Sequence, residues 1–216
     1  MTSQRRLSSP PQRIIGLTGG IGMGKTTVSN YLATSHHLAV LDADLFAREA
    51  VEPNSPILSA ISERYGSGIL LADGSLDRKR LGDIVFSSPA ERLWLEQQIH
   101  PYVRDRLEHA LHLPPLNNPA LHPILVVVIP LLFEARMTDL VTETWVVQCP
   151  EAQQLDRIMQ RDGLTREQAQ MRLSSQMSIQ KKAARADVVL DNAADLIDLY
   201  QQIDRAIAQQ PAQVQG

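Results

Sequence analysis

The sequence predicts a three-layer α/β/α fold built on a five-stranded parallel sheet. Short apolar runs near residues 15, 40, 126, 146 and 189 alternate with helical stretches, the pattern of parallel strands joined by right-handed crossovers. One run, "ILVVVIP" at 124–130, is continuously apolar and β-branched, as a strand covered on both faces must be, and "ETWVVQC" at 143–149 is a second of this kind. The first run leads straight into a glycine-rich loop and then a helix, the local order of a phosphate-binding turn.

Element by element, residues 13–17, "RIIGL", read as a buried first strand. Lys25–Ser35 follows as a helix with an apolar stripe at Val28, Tyr31 and Leu32. Ala39–Asp42, "AVLD", is the second strand. From 43 to 112 the periodicity is helical, punctuated by "EPNSP", "YGSG" and "ADGS". Ser88 ahead of Pro89 marks the start of the last of these helices, with an N-cap followed by proline at the first helical position. His100-Pro101 reads as a place where proline interrupts that helix, although the pair is ambiguous between structure and function. Residues 113–123, "LPPLNNPALHP", form a loop. Residues 151–185 are polar and helical with a break at "RDGLT", residues 186–192 give the last strand, and a final helix runs to about 209. The chain is therefore expected to hold one domain over 13–209, with a helical insertion at about 45–112, a disordered leader at 1–12 and a tail at 210–216.

Bulk composition narrows the function classes. A chain of 216 residues, 44% hydrophobic, is long enough for one real core and too apolar to be disordered throughout. Its net charge of −3 lacks the basic excess of a nucleic-acid binder. No apolar run reaches membrane-spanning length, and no stretch behind the N-terminal arginines resembles a secretory signal. The single cysteine, Cys149, cannot form an intramolecular disulfide, and at the end of an apolar run it reads as a small buried residue rather than a nucleophile. These features point to a cytoplasmic protein with no membrane or nucleic-acid partner; a monomer or weak homo-oligomer is expected, although the sequence does not determine the oligomeric state.

The stretch "GLTGGIGMGKTT" at 16–27 carries the chemistry. Gly19, Gly24, Lys25 and Thr26 fit G-x-x-x-x-G-K-[ST], the phosphate loop of P-loop NTPases. Glycines let backbone N–H groups wrap a phosphate, and the following helix offers its positive end. Gly22, Met23, Gly24, Lys25, Thr26 and Thr27 are the expected ATP contacts, Lys25 reaching the β- and γ-phosphates and Thr26 ligating Mg²⁺. A GTPase would add D-x-x-G and N-K-x-D, and neither occurs. A motor ATPase would end an apolar strand in Asp or Asp-Glu, whereas "ILVVVIP" ends in proline. A small kinase fits, and it still needs a base for an acceptor hydroxyl, arginines for the transferred phosphoryl and a lid against water.

Candidates for each are present. "DADLF" puts Asp42 and Asp44 at the carboxyl end of the second strand, the edge that faces the ligand crevice of an open α/β sheet. Asp44 is the candidate base, with helix capping the competing role for either aspartate. Arg157 and Arg161, four residues apart, share a helical face: either a lid surface closing over phosphates or a solvated face paired with Asp156 and Asp162. "IPLLFE" at 129–134 reads as a strand exit into an apolar cluster, with Phe133 and the leucines equally able to be core. An ATP-binding regulatory protein without transfer is the rival class, and it would leave Asp44 a structural role. Spacing alone does not choose an acceptor: a nucleotide, shikimate or gluconate would serve equally.

The ordered set "GLTGGIGMGKTTV", "DAD" with "AREAVEP", "ADGSLDRKRLGDIVF", "IHPYV", "IPLLFE", "RIMQRDGLTREQAQMRLSSQM" and "KKAARADVVLDN", spanning about 13–205, resembles the dephospho-coenzyme A kinases. The resemblance implies ATP- and Mg²⁺-dependent phosphorylation of the ribose 3′-hydroxyl of dephospho-coenzyme A, on a nucleotide-kinase core with a helical substrate-binding region and a lid at about 157–185. It implies that Asp44 is the base, that Lys25, Arg157 and Arg161 meet the phosphates, and that Asn192 lies near the adenine of ATP. It further implies that His100, Pro101, Leu131, Leu132, Phe133 and Glu134 fall at the acceptor site. Met23 departs from the serine more usual at its position, and residues 1–12 and 113–123 look like additions.

Overall fold

The computed structural model describes residues 12–209. The expectations for 1–11 and 210–216 lie outside them. Five strands, β1 (Arg13–Gly19), β2 (Ala39–Asp42), β3 (Ile124–Val128), β4 (Glu143–Gln148) and β5 (Val188–Asp191), form one sheet in the order β2-β3-β1-β4-β5, and every pairing is parallel. The chain runs outward from β1 to one side for β2 and β3, then crosses to the other side for β4 and β5. Loops leaving the carboxyl ends of β1 and β3 therefore diverge and open a crevice, where ligands of such sheets bind.

Alternation along the strands sorts side chains onto two faces. Ile15, Leu17, Val126, Val128, Trp145 and Val147 pack against α1 (Lys25–Ser35) and α9 (Leu196–Ala208) through Val28, Leu32, Leu199 and Ile203. On the other face Leu125 and Val127 meet α5 (Pro89–His112) through Val103, Leu107 and Leu111. Three layers result, as expected. Strand ends fall within two residues of the sequence reading; β1 runs on to Gly19 because Thr18 and Gly19 still pair with Val146 and Val147.

Between β2 and β3 the chain folds α2 (Ala43–Glu49), α3 (Pro56–Tyr65), α4 (Arg78–Ser87) and α5 around a separate cluster of Val51, Leu58, Ile61, Ile69, Leu81 and Val85. "YGSG" ends α3 and starts a 3-10 turn at Ser67–Ile69, and "ADGS" closes a small antiparallel bridge between Leu70 and Leu76. Ser88 caps α5, accepting from the Glu91 N–H at 3.4 Å. One expectation is corrected here: Pro101 does not break the helix but sits inside the 24-residue α5. Its ring is exposed, and it leaves only the Gln97 carbonyl without its helical donor. Burial of the stripe Val103, Leu107 and Leu111 beyond it, packed against the sheet, holds the helix together.

After β4 come α6 (Glu151–Asp162), α7 (Arg166–Ser174) and α8 (Ile179–Ala183). The "RDGLT" break is a left-handed Gly163 at φ 65° closing α6, then a Thr165/Gln168 capping box opening α7. The loop at 113–123 is tied to the chain start: the Gln12 amide donates to Leu116 O and His122 O, so the last residue of the expected leader is anchored. Cys149 is a free buried thiol, and burial pushes its pKa up. Among the described residues no helix is long and apolar enough to cross a membrane.

Candidate active site

The turn from β1 into α1 is shaped by backbone that only glycine tolerates well. Gly24 is the N-cap of α1 at φ 99°, and a Cβ there would lie 2.2 Å from Asn192 Nδ2. No side chain caps α1, so its first N–H groups stay available to an anion. Three amides from three other elements hold the loop from behind. Gln154 of α6 donates to Ile21 O (2.7 Å), Gln176 after α7 accepts from Ile21 N (3.1 Å), and Asn192 after β5 donates to Met23 O (2.9 Å). Met23 turns inward, 1% exposed, and its Sδ accepts from Gly20 N. Its thioether thus fills the space behind the loop and leaves its backbone on the phosphate side.

Lys25, Thr26, Asp44, Leu131, Arg157 and Arg161 line one crevice of about 540 Å³ with Gly22 and Gly24 at its wall. Lys25 Nζ donates to Gly19 O (3.1 Å) and Gly20 O (2.9 Å). Desolvation, then the nearby charge of Lys182, depresses its pKa from 10.5 to about 8. Asp42 caps α2 by accepting from Asp44 N at 2.9 Å, so the capping role falls to Asp42 and the Asp44 carboxylate is left to the crevice. Desolvation within the crevice and the Asp42 charge raise the pKa of Asp44, with Lys25 and Arg48 opposing.

Arg157 has no carboxylate within ion-pair distance among the described residues; it donates to Asn192 O (3.2 Å) and Gln153 Oε1 (3.4 Å). Arg161 pairs with Asp162 at 2.7 Å, and Asp162 also binds Arg172. The two arginines share α6 and one crevice but are differently held: Arg157 meets only an amide and a carbonyl oxygen among the described residues, and Arg161 is paired with Asp162.

Asp44 also borders a narrow apolar slot of about 200 Å³ together with His100, Ile99, Val103, Leu131 and Met137. Desolvation lowers the His100 pKa, which keeps the imidazole neutral near pH 7. Leu131 thus reaches the cavities. Leu132 and Phe133 do not line them: Leu132 is fully buried in the cluster with Val127 and Leu107, and Phe133 is buried with Arg185 stacked 4.6 Å over its ring. Pro101, on the solvent side of α5, lines neither. The Asn192 amide group is committed to the loop, so what the structure gives this residue is a hold on Met23 rather than an open edge.

Glu134 leads to a residue the sequence reading passed over. Its Oε1 pairs with Lys182 Nζ at 3.0 Å and accepts from Met177 N at 3.0 Å, while Oε2 finds no partner among the described residues. Lys182, on α8, is completely buried and also donates to Pro130 O (2.9 Å), which Thr18 Oγ1 bonds as well. The lysine sits inside "KKAARADVVLDN"; nothing in its polar neighbourhood distinguishes a buried ammonium from a solvated one. Gln154 and Gln176 were likewise invisible, one a glutamine on a polar helix and the other in the polar turn after α7.

A phosphate cradle, a carboxylate across from it and two arginines on a neighbouring helix can neutralise and transfer a phosphoryl group. Known proteins agree on the class. The family model described as dephospho-CoA kinase matches residues 13–198. A dephospho-CoA kinase of Trichormus variabilis is 59% identical over 196 residues, covering 91% of this chain and 97% of the relative. A Thermus thermophilus crystal structure superposes with a TM-score of 0.74 at 33% identity, covering 92% of this chain and 97% of that one. The dephospho-CoA kinase of Campylobacter jejuni superposes at 0.65 with 29% identity, over 91% of this chain and 96% of its own.

Proposed function

The chain belongs to the dephospho-CoA kinase family, and on that premise we propose how its own side chains carry the reaction. The enzyme phosphorylates the ribose 3′-hydroxyl of dephospho-CoA, the last step of coenzyme A biosynthesis, with ATP as donor. The loop amides of 22–27 and Lys25 hold and polarise the β- and γ-phosphates. Asp44 orients the acceptor hydroxyl and receives its proton as the new O–P bond forms. Its raised pKa brings it closer to a working base than an ordinary aspartate. Arg157 and, once released from Asp162, Arg161 take up the charge on the transferred group.

Magnesium fits the donor set. The Thr26 hydroxyl is exposed at the start of α1, and the described residues offer no cluster of three or more His, Cys, Asp or Glu that would form an all-protein cage. A Mg²⁺ held by one hydroxyl, phosphate oxygens and water suits that arrangement, and it would supply charge neutralisation at the phosphates. The apolar slot beside His100 receives the flat base of the acceptor, and α6–α8 act as the lid. Cytoplasmic residence goes with this reading, because ATP is the donor.

The observation that carries it is the position of Asp44 at the junction of the phosphate crevice and the apolar slot. The test is incubation with ATP, Mg²⁺ and dephospho-CoA, with the product examined for a 3′-phosphate. Asp44→Ala should lower kcat by more than about 100-fold, roughly 3 kcal/mol of barrier, with the fold intact. Near-normal turnover in that variant would sink the base assignment.

A further inference from the structure

Two arginines in the motifs "AREAVEP" and "ADGSLDRKRLGDIVF" have no part in the mechanism above. Arg48 follows Asp44 by one turn of α2, and Arg78 opens α4. Arg78 Nη2 lies 3.4 Å from the Arg48 carbonyl, so the second guanidinium is drawn to the end of α2 where the first arginine stands. Neither has a carboxylate within the 4.0 Å ion-pair distance among the described residues. By contrast Arg64 on α3, Arg104 and Arg106 on α5 and Arg172 on α7 are all paired, and Arg80 is turned away to Gly68 O.

Both unpaired arginines line a groove of about 300 Å³ with Leu76, Leu81 and Val85 on its apolar wall, and Asp44 stands at its end. Asp44, Ala47 and Ile99 also line the slot beside His100, so groove and slot adjoin at the carboxylate. Two guanidiniums lining one groove, neither held in an ion pair and with Asp44 the only carboxylate on that lining, leave net positive charge that an anionic ligand would neutralise.

We propose that Arg48 and Arg78 bind the 5′-diphosphate of the acceptor; this rests on the reading of Asp44 as the residue that meets the 3′-hydroxyl. The chemistry of dephospho-CoA supports the match. Its diphosphate is its only anionic group. It leaves the ribose one carbon beyond C4′, about the reach of the helical turn that separates Asp44 from Arg48. With the base in the slot and the 3′-oxygen at Asp44, the diphosphate enters the groove between the guanidiniums. The uncharged pantetheine arm then continues along Leu76, Leu81 and Val85. The pair therefore sets acceptor specificity: it favours nucleoside diphosphate conjugates over nucleosides of the same base and sugar.

The experiment is steady-state kinetics on Arg48→Gln, Arg78→Gln, the double variant and the charge-keeping Arg48→Lys and Arg78→Lys. Each Gln variant should raise KM for dephospho-CoA about 10- to 100-fold, as loss of one charge-assisted contact does. KM for ATP and kcat should stay within about threefold, and the Lys variants should recover most of the loss. Both positions are exposed, so thermal melts should match the parent. An unchanged KM for dephospho-CoA, an equal rise in KM for ATP, or Lys variants no better than Gln variants would overturn the assignment. If the unaltered enzyme fails to phosphorylate dephospho-CoA at the 3′-position, the underlying reading of the site falls instead.

Discussion

Asp44 is tuned by its neighbours, and one of them can be changed without moving it. The Asp42 carboxylate raises the Asp44 pKa, second only to desolvation, while also capping α2. Asparagine caps as well as aspartate but carries no charge. Asp42→Asn should therefore lower the Asp44 pKa. With Asp44 as the proposed base, which must be ionised to accept the proton, activity is lost as pH falls through that pKa, so the acid limb of kcat/KM should move to lower pH. A pH profile with an unmoved or raised acid limb would contradict this. Lys25 offers the opposite titration. At a pKa of about 8 in the free protein, about half of it is neutral at pH 8. Phosphate charge restores the ammonium, so ATP binding near pH 8 should take up protons, and binding near pH 6 should not. Calorimetry in buffers of different ionisation heat reads the uptake directly.

Among the secondary elements, the buried pair of Lys182 and Glu134 couples α8 to the exit of β3, where Pro130 O takes two hydrogen bonds. Removing one partner leaves a largely buried charge uncompensated. Lys182→Met should thus destabilise the fold by about 3 kcal/mol, whereas the double variant Lys182→Met, Glu134→Leu should recover most of it. Denaturant midpoints around that cycle would show simple additivity if no coupling existed. The same pair shows where sequence reading reaches its limit. Strands, the loop glycines, Lys25 and Asp44 were legible because period, turn chemistry and spacing are local. Lys182, Gln154 and Gln176 act through partners 52, 133 and 155 positions away, and nothing local marks them. Pro101 misled for the converse reason: its local rule is helix breaking, and tertiary packing of α5 overrides it. Leu131, Leu132 and Phe133 are consecutive and chemically alike, so only the fold could separate the one at the cavity from the two in the core.

At the scale of the molecule, the two edges of the sheet do different work. The carboxyl-terminal edge holds the loop, Asp44 and the crevice. The amino-terminal edge holds a clamp between the two ends of the domain. Arg13 Nε meets Glu143 Oε1 at 2.6 Å, joining the starts of β1 and β4, and its two Nη groups donate to Ala206 O and Ile207 O at 2.9 Å each. Those carbonyls close α9, where a cation also favours the helix dipole. The side chains of the pair are only 10% and 6% exposed, so water cannot replace a lost partner. Glu143→Ala leaves a buried guanidinium with carbonyls alone and should lower stability by about 3–5 kcal/mol in chemical denaturation. Because the clamp lies at the far end of β1 from Gly19 and Lys25, kcat and both KM values should stay within about twofold of the parent at temperatures where the variant is folded. Asp44→Ala is the mirror case, with catalysis lost and stability kept. A Glu143 variant that loses turnover in step with stability would mean that strain at the amino edge reaches the loop through β1, and the separation of the two edges would not hold.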